Sequence, residues 1–490
     1  MKYVFIILLI GFCQNLSALS NKDVALYKSI FKDYRDGNFK QADKNIEKLN
    51  DLILMGHVEA LKLLHPTKHR SSFSELDIWL SKYNDQYEAK RIYKLAIKRM
   101  PSGSQKPLKN KFPELDKIFL EKQSIEKTVS PLRKIFTSNN YSKKISIYNT
   151  VRSRVGRGWP TGALEYLEHH KKNFNDKELS FLLSKIANGY YLANLDDKAI
   201  NVLKNESFIK DPYSEGLWIK GLAHYRKAEF QKASRQFLIL SKITNNKWLK
   251  NAGAYWSFLS ATKDPKDNIT FEASLDSLNA ACNPSFNIYS LLSCRILDKP
   301  IIDFEFNDLE LSKDLNSFTQ SVLGERIQTL IEIDEIPIAE IELNRIQSIS
   351  NDRFKMTLLG FSKKNDLSSL QIKTAKYLFK ENAPIEFLYP TPQWIENYEF
   401  NEVDPILILS MIRQESQFSA FARSGKSAYG LMQILPSTAR MVNKKYNFKS
   451  NPRHLYDPQI NVDTGSLYLK SLLNIKSING DLLKALISYN

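Results

Sequence analysis

The chain has 490 residues, of which 43% are hydrophobic and 25% are charged, so its composition does not limit the formation of a hydrophobic core. This length favours more than one domain. Only 17 residues are glycine, which favours helices. The formal net charge of +17 favours an anionic partner such as nucleic acid, anionic lipid or an acidic cell-wall polymer. A basic composition without any specific partner is the alternative.

The first twenty residues have the pattern of an export signal. Lys2 supplies a positive charge, and residues 4–12 form an apolar stretch too short to span a membrane. A small-x-small cleavage site follows at Ala18, Leu19 and Ser20. We therefore expect residues 1–20 to be a signal peptide, the mature protein to be periplasmic and soluble, and nucleic-acid binding to be absent.

Export would place Cys282 and Cys294 in an oxidising compartment, where they could form a disulfide. Two buried thiols are the alternative, because sequence alone does not give the distance between them.

Residues 21–385 carry apolar residues at the three- and four-residue spacing of helices. A tyrosine also precedes an alanine by eight residues three times. The pairs are Tyr34 and Ala42, Tyr191 and Ala199, and Tyr225 and Ala233. The last two pairs lie 34 residues apart, and residues 218–237 resemble a tetratricopeptide-type hairpin. We predict an α-superhelical solenoid of helical hairpins, with a generic helical domain whose period arises by chance as the alternative.

A domain boundary is expected near Tyr389-Pro390-Thr391-Pro392, because two prolines in four residues end helical structure. The predicted domains are thus residues 21–385 and 386–490. Asp404 and Pro405 then suit the start of a helix. Its next residues are apolar on nearly every side, which predicts a buried helix. Burial and the helix dipole would both raise the pKa of the carboxyl group of Glu415 at its end.

Four sequence motifs occur in a fixed order in the C-terminal segment and together resemble the signature of one protein family. They are Glu415-Ser416-Gln417-Phe418; Ser424-Gly425-Lys426-Ser427-Ala428-Tyr429-Gly430-Leu431-Met432-Gln433-Ile434; Asp457-Pro458 with Asn461, Gly465, Tyr468 and Leu469; and Tyr489-Asn490. The segment resembles the soluble lytic transglycosylases, whose catalytic domain is similar to goose-type lysozyme and cuts bacterial cell wall. The resemblance implies an all-α protein: a helical solenoid followed by a lysozyme-like, α-rich catalytic domain.

The sequence departs from the family pattern in two places. Ser427 stands where the family usually has glycine. The chain also stops at Asn490, inside the Tyr-Asn motif, while relatives continue, so we expect the catalytic domain to be truncated.

The resemblance also implies residue roles. Glu415 would be the sole catalytic acid and base. Ser416, Met432, Gln433, Tyr489 and Asn490 would bind the sugar strand. Core packing is the alternative for Met432, and a bond to the helix end is the alternative for Ser416. Asn461 and Gly465 are expected to be structural, with Gly465 allowing close helix packing.

Most glycosidases use two carboxyl groups, and no second one is evident in this segment. A single acid suits a substrate that supplies its own nucleophile. Glu415 would protonate the bond between N-acetylmuramic acid and N-acetylglucosamine and then deprotonate the muramic 6-hydroxyl, giving the 1,6-anhydro product of the family. A lysozyme-type hydrolase using water, or a non-catalytic peptidoglycan-binding protein, are the alternatives.

We expect no metal or other cofactor, because no His-Glu-x-x-His or Cys-x-x-Cys motif occurs and Pro66 separates His65 from His69. The expected partner is the peptidoglycan glycan strand, bound by a monomer.

Overall fold

A computed structural model describes residues 19–120, 131–136, 140–204, 214–265, 268–283, 287–301, 309–347, 349–380, 383–395, 398 and 403–489. The chain divides into two compact units. Unit 1 combines residues 1–124 with residues 306–490, and unit 2 spans residues 125–305. Nearly all of the predicted signal peptide, residues 1–18, lies outside the described residues. None of the described helices combines the length and apolar character that crossing a membrane requires.

The first part of unit 1 contains helices α1 (Asn21–Asp36), α2 (Phe39–Ile46), α3 (Met55–Leu63), α4 (Phe73–Tyr83) and α5 (Ala89–Arg99), and a 3-10 helix at Lys117–Phe119. Unit 2 contains α6 (Pro131–Ile135), α7 (Tyr141–Gly156), α8 (Pro160–His170), a 3-10 helix at Lys171–Asn173, α9 (Asp176–Leu192), α10 (Asp196–Val202), α11 (Glu215–Arg226), α12 (Phe230–Ile243), α13 (Lys247–Lys263), α14 (Asn268–Ala281) and α15 (Ile288–Ile296).

The second part of unit 1 contains α16 (Leu309–Ser312), α17 (Leu315–Thr319), α18 (Val322–Glu332), α19 (Ile336–Gln347), α20 (Asp352–Lys364), α21 (Ser368–Phe379), α22 (Ile385–Leu388), α23 (Pro405–Glu415), α24 (Pro436–Val442), α25 (Pro458–Leu473) and α26 (Leu482–Tyr489), with 3-10 helices at Gln393–Ile395 and Pro452–Tyr456. Where the structure describes the chain, extended pairing is limited to isolated bridges. The predicted all-α class is confirmed.

The predicted hairpin at residues 218–237 is confirmed as α11 and α12, which pack against each other. Ala233 is fully buried. A Cβ atom added at Gly221 would lie 2.5 Å from the ring of Phe237, so this glycine lets the two helices approach closely. The alanines at the matching repeat positions, Ala42 and Ala199, are also fully buried.

The open question about the two cysteines is settled in favour of a disulfide. Cys282 and Cys294 are bonded, and their Cα atoms are 4.7 Å apart. The bond links the end of α14 to α15 within unit 2.

The C-terminal segment has a hydrophobic core of its own. Apart from Ile372, the buried members of this core lie between Val403 and Ala485. The predicted break at residues 389–392 is confirmed as non-helical chain after α22. Asp404 caps α23 as predicted, since its Oδ1 accepts a hydrogen bond from the backbone N–H of Ile406 at 2.8 Å.

The prediction that α23 is buried on all sides is wrong. Only Ile408, Met411 and Ile412 are buried, while Ile406 is 73% exposed. The helix lies at the edge of the C-terminal core and turns one face towards it. A run of apolar residues cannot by itself distinguish this arrangement from full burial.

We predict that Gly221→Ala destabilises the protein by about 1–3 kcal/mol, because the new methyl group overlaps the ring of Phe237. Gly156→Ala is the matched control: it is also helical, and a Cβ atom there meets nothing within 4 Å. The control should be neutral or stabilising. Urea denaturation of both variants measures the difference, and equal midpoints would contradict the packing described.

Candidate active site

Glu415 is the last residue of α23 and is half-buried. Burial raises the pKa of its carboxyl group, and no neighbouring charge contributes to that shift among the described residues. No hydrogen bond or ion pair to a described residue occupies the carboxyl oxygens. The predicted rise of this pKa by burial is therefore confirmed, since burial disfavours the charged form of the carboxyl group.

Tyr489, at the end of α26, lies close enough to this acid for the charge of Glu415 to affect its pKa. Its hydroxyl donates a hydrogen bond to the backbone carbonyl of Met432 at 2.9 Å. The pKa of Tyr489 is raised well above its ordinary value, first by burial and then by the charges of Glu415 and Tyr468. Because the phenol stays neutral, it can donate this hydrogen bond at any physiological pH.

Two other predicted site residues make local bonds. The hydroxyl of Ser416 donates to the carbonyl of Ile412 at 3.2 Å, which was the alternative given for it. The side-chain amide of Gln433 donates to the carbonyls of Gly430 at 2.9 Å and Ala422 at 3.2 Å. These bonds stabilise the loop that follows α23. Direct contact of Ser416 and Gln433 with substrate stays a prediction.

Met432 is fully buried and packs in a notch left by Gly465. A Cβ atom at Gly465 would lie 2.2 Å from the Met432 sulfur. Gly465 thus permits close packing as expected, but its neighbour is a loop side chain and not a second helix. The side chain of Met432 belongs to the core, and only its backbone carbonyl reaches Tyr489. Its predicted contact with sugar stays a prediction.

Asn461, on α25, holds the Gly-Leu-Met-Gln loop in place. Its side-chain oxygen accepts a hydrogen bond from the backbone N–H of Met432 at 2.8 Å. Its amide nitrogen donates to the carbonyls of Tyr429 at 2.9 Å and Leu455 at 2.7 Å. The side chain is fully buried. The expected structural role of Asn461 is confirmed.

Ser427, at the position where the resemblance implies glycine, has a backbone conformation that favours glycine. Its φ angle is 60°, in the left-handed region that costs a residue with a side chain about 1–2 kcal/mol. The turn is closed by the backbone N–H of Ser427, which donates to the carbonyl of Ser424 at 3.0 Å. The side chain of Arg423 donates to the Ser427 hydroxyl at 3.2 Å and offsets part of the cost. The turn is thus retained without glycine.

Tyr468 also contributes to the site, although its motif implied no role for it. Its ring packs against that of Tyr489 at 5.1 Å between centroids. The only available sequence signal was its place in the motif that contains Asn461 and Gly465. Asn490, predicted to bind substrate, lies outside the described residues.

One group of described residues has the donor types of a metal site. His57, Glu88 and Glu342 are buried in unit 1, with ligand atoms within 4.8 Å of one another. His57 Nδ1 lies 2.9 Å from a carboxyl oxygen of Glu88, and Arg345 donates to Glu342 at 3.0 Å. None of these residues lies in the segment that carries Glu415. The expected absence of a metal cofactor stays a prediction.

Comparison with solved structures identifies the fold. A 70-kDa soluble lytic transglycosylase in complex with bulgecin A superposes with a TM-score of 0.62 at 11% identity, covering 96% of this chain and 89% of that one. The 70-kDa soluble lytic transglycosylase of Escherichia coli gives a TM-score of 0.53 at 13% identity, with the same coverage. An inactive mutant of the lytic transglycosylase Slt from Pseudomonas aeruginosa gives 0.55 at 14% identity, covering 97% and 82%.

Sequence comparison points to the C-terminal segment. Residues 392–490 match the family model of the transglycosylase SLT domain. Membrane-bound lytic murein transglycosylase C of Actinobacillus pleuropneumoniae is 41% identical over 73 residues, which cover 14% of this chain and 20% of that protein. The corresponding protein of Serratia proteamaculans is 40% identical over 76 residues, covering 15% and 21%. The matched segment thus spans about a fifth of the length of these relatives.

The chain has the all-helical fold of the soluble lytic transglycosylases. Its C-terminal segment, residues 392–490, belongs to the transglycosylase SLT domain family. The resemblance drawn from the four motifs is confirmed.

We predict that Asn461→Ala destabilises the C-terminal segment by about 2–4 kcal/mol, because it leaves the N–H of Met432 and the carbonyl of Leu455 without partners and removes one of two hydrogen bonds to the carbonyl of Tyr429. Asn474→Ala, at the exposed end of the same helix, is the control and should cost much less. Thermal unfolding of both variants tests this, and similar melting temperatures would show that the three bonds carry little stability.

Proposed function

We propose that this protein is a peptidoglycan lytic transglycosylase. It cleaves the β-1,4 bond between N-acetylmuramic acid and N-acetylglucosamine and leaves a 1,6-anhydro-muramic end. The observation that carries the proposal is the environment of Glu415: a half-buried acid of raised pKa, free of ion pairs with described residues, beside Tyr489 in a transglycosylase SLT domain.

The proposed reaction uses Glu415 twice. Its protonated carboxyl group donates a proton to the glycosidic oxygen as that bond breaks. The resulting carboxylate then takes the proton from the 6-hydroxyl of the muramic sugar, whose oxygen bonds to C1. No proton is gained or lost overall, and water is not consumed. Because the attacking hydroxyl belongs to the same sugar, its effective concentration is high.

The surroundings support a mechanism with one carboxyl group. Asp404 lies at the opposite end of α23, where it caps the helix. Asp457 caps α25 by accepting a hydrogen bond from the N–H of Ile460 at 2.9 Å. Neither contributes to the raised pKa of Glu415. Both carboxylates therefore serve as helix caps, and neither acts on Glu415 as the second carboxyl group of an ordinary glycosidase would.

Tyr489 is proposed to support the reacting centre. Its neutral hydroxyl joins the end of α26 to the loop carbonyl of Met432 and keeps the ring near Glu415. We further propose that Ser416 and Gln433 contact the sugar strand from the loop that their local bonds stabilise. Asn490 and the backbone of Met432 are the remaining groups that we propose to contact the sugar strand.

We propose that the chain consists of a signal peptide and two domains. Residues 1–20 would direct export to the periplasm, residues 21–385 would form the solenoid, and residues 386–490 would hold the catalytic domain. The separate hydrophobic core of the C-terminal segment supports the last boundary. The net charge of +17 suits a monomer acting on peptidoglycan, whose stem peptides carry carboxylates.

We predict that Glu415→Gln lowers the turnover of purified sacculi at least about a hundredfold, because the amide cannot donate and then accept the proton. Glu47→Gln, which changes an exposed glutamate outside the site, is the charge-matched control. Mass spectrometry identifies the products of the parent protein. We expect anhydro ends, which are lighter by one water than hydrated ends. Hydrated ends would indicate a lysozyme-type hydrolase. Equal turnover by Glu415→Gln and Glu47→Gln would indicate a binding protein without catalytic activity.

The pH dependence should report the state of the same carboxyl group. Glu415 acts first as an acid, so activity requires its protonated form and falls as pH rises through its pKa. Because burial raises that pKa, the fall should lie above the range of an ordinary glutamate. The initial rate of release of soluble fragments, measured across pH with the protein verified as folded, tests this. A rate that already declines at the pH where exposed glutamates ionise would contradict the proposal.

A further inference from the structure

A second site is indicated by a basic cavity in the first part of unit 1. The cavity has a volume of about 730 Å³ and lies between the connection from α3 to α4 and the side of α5. Its lining contains six lysine and arginine side chains and no carboxylate. They are Lys68, Arg70, Arg91, Lys94, Lys98 and Arg99. The size is within the usual range for small-molecule sites, about 300–1,000 Å³.

The cations of this cavity are not neutralised by the parts of the protein that the structure describes. Elsewhere in the same unit, lysines and arginines meet acids, as Lys28 meets Asp334 and Arg326 meets Asp85. No described carboxylate comes within ion-pairing distance of any of the six cavity cations. Arg99 is oriented instead by the neutral Ser71, whose hydroxyl accepts its hydrogen bond at 3.0 Å.

The rim of the cavity is ordered by contacts of its two histidines. His65 Nδ1 accepts a hydrogen bond from the backbone N–H of Lys68 at 3.0 Å, and the His65 ring packs on Phe39 at 5.4 Å between centroids. His69 also lines the cavity and lies 3.0 Å from a carboxyl oxygen of Glu75, which is not itself a lining residue. The connection between α3 and α4, which carries Lys68 and Arg70, therefore has a defined conformation. It lies opposite the cationic side chains of α5 across the cavity.

We propose that this cavity binds a ligand that carries more than one phosphate group. Like charges gathered around one space repel each other, and a multiply charged anion relieves that repulsion at every cation. Arginine offers two parallel N–H groups that match phosphate oxygens, and lysine adds point charge. Singly charged carboxylates spaced along a peptide would neutralise fewer of six cations in one cavity. The source is either a soluble polyphosphate or a phospholipid headgroup that carries more than one phosphate.

The inference does not depend on the proposed enzymatic activity, since none of the lining residues belongs to the C-terminal segment. The test uses the full chain and two double variants of equal charge. One is Lys94→Glu with Lys98→Glu, both in the cavity. The other is Lys32→Glu with Lys90→Glu, two exposed helical lysines outside the lining. Circular dichroism and thermal unfolding verify that each remains folded.

The soluble probe is inorganic tripolyphosphate, followed by calorimetry at fixed ionic strength. The cavity variant should lose about tenfold or more in affinity, because two charge-assisted contacts are removed, while the control variant retains binding. The lipid probe is a phosphatidylcholine vesicle with or without cardiolipin, whose headgroup carries two phosphate groups. Binding to anionic vesicles alone, lost only in the cavity variant, would identify the lipid as the source and equally support the site.

Three results would overturn the proposal. Equal loss in both double variants would show a general effect of net charge. Binding of carboxylate-bearing peptidoglycan fragments at the cavity, without binding of either phosphate probe, would show that the ligand is not a phosphate. Absence of binding by the parent protein to both phosphate probes would show that the cavity does not hold such a ligand.

Discussion

The side chain of Asn461 is the constraint on which the C-terminal segment depends. It is one buried amide that uses both donors and its acceptor on the backbone of two separate chain segments. A loop of mixed polar sequence cannot be buried unless its N–H and C=O groups find partners. Asn461 supplies them from a rigid helix, so the loop carbonyl of Met432 is held where the hydroxyl of Tyr489 can reach it. The position of Tyr489 beside Glu415 follows from that chain of contacts.

The environment of Glu415 combines two opposing requirements. A proton donor needs enough burial to remain protonated, but it also needs access to its substrate. The edge position of α23 meets both, because one face of the helix packs on the core while its other face, with Ile406, stays in solvent. A fully buried helix would have raised the pKa further and closed the approach. The error in the sequence-based prediction of α23 is therefore informative about how the acid can work.

Sequence patterns were sufficient where they reflect local physics. Helical spacing predicted the hairpin of α11 and α12. Asp404 predicted the N-terminal cap of α23, and the four motifs identified Glu415 as the candidate acid. Patterns were insufficient where the outcome depends on distant segments. The disulfide between Cys282 and Cys294 required a distance, and the buried side chain of Met432 depends on the notch at Gly465. The basic cavity joins a loop and a helix whose charges look scattered along the sequence.

The contact between Gly465 and Met432 has a consequence for the history of this fold. The methionine sulfur occupies the space that a side chain at residue 465 would need, so the two positions share one volume. A larger side chain at either position therefore requires a smaller side chain at the other. Homologues should therefore exchange these residues as a pair, with any larger group on the helix matched by a shorter one in the loop, and lineages that changed only one should be rare.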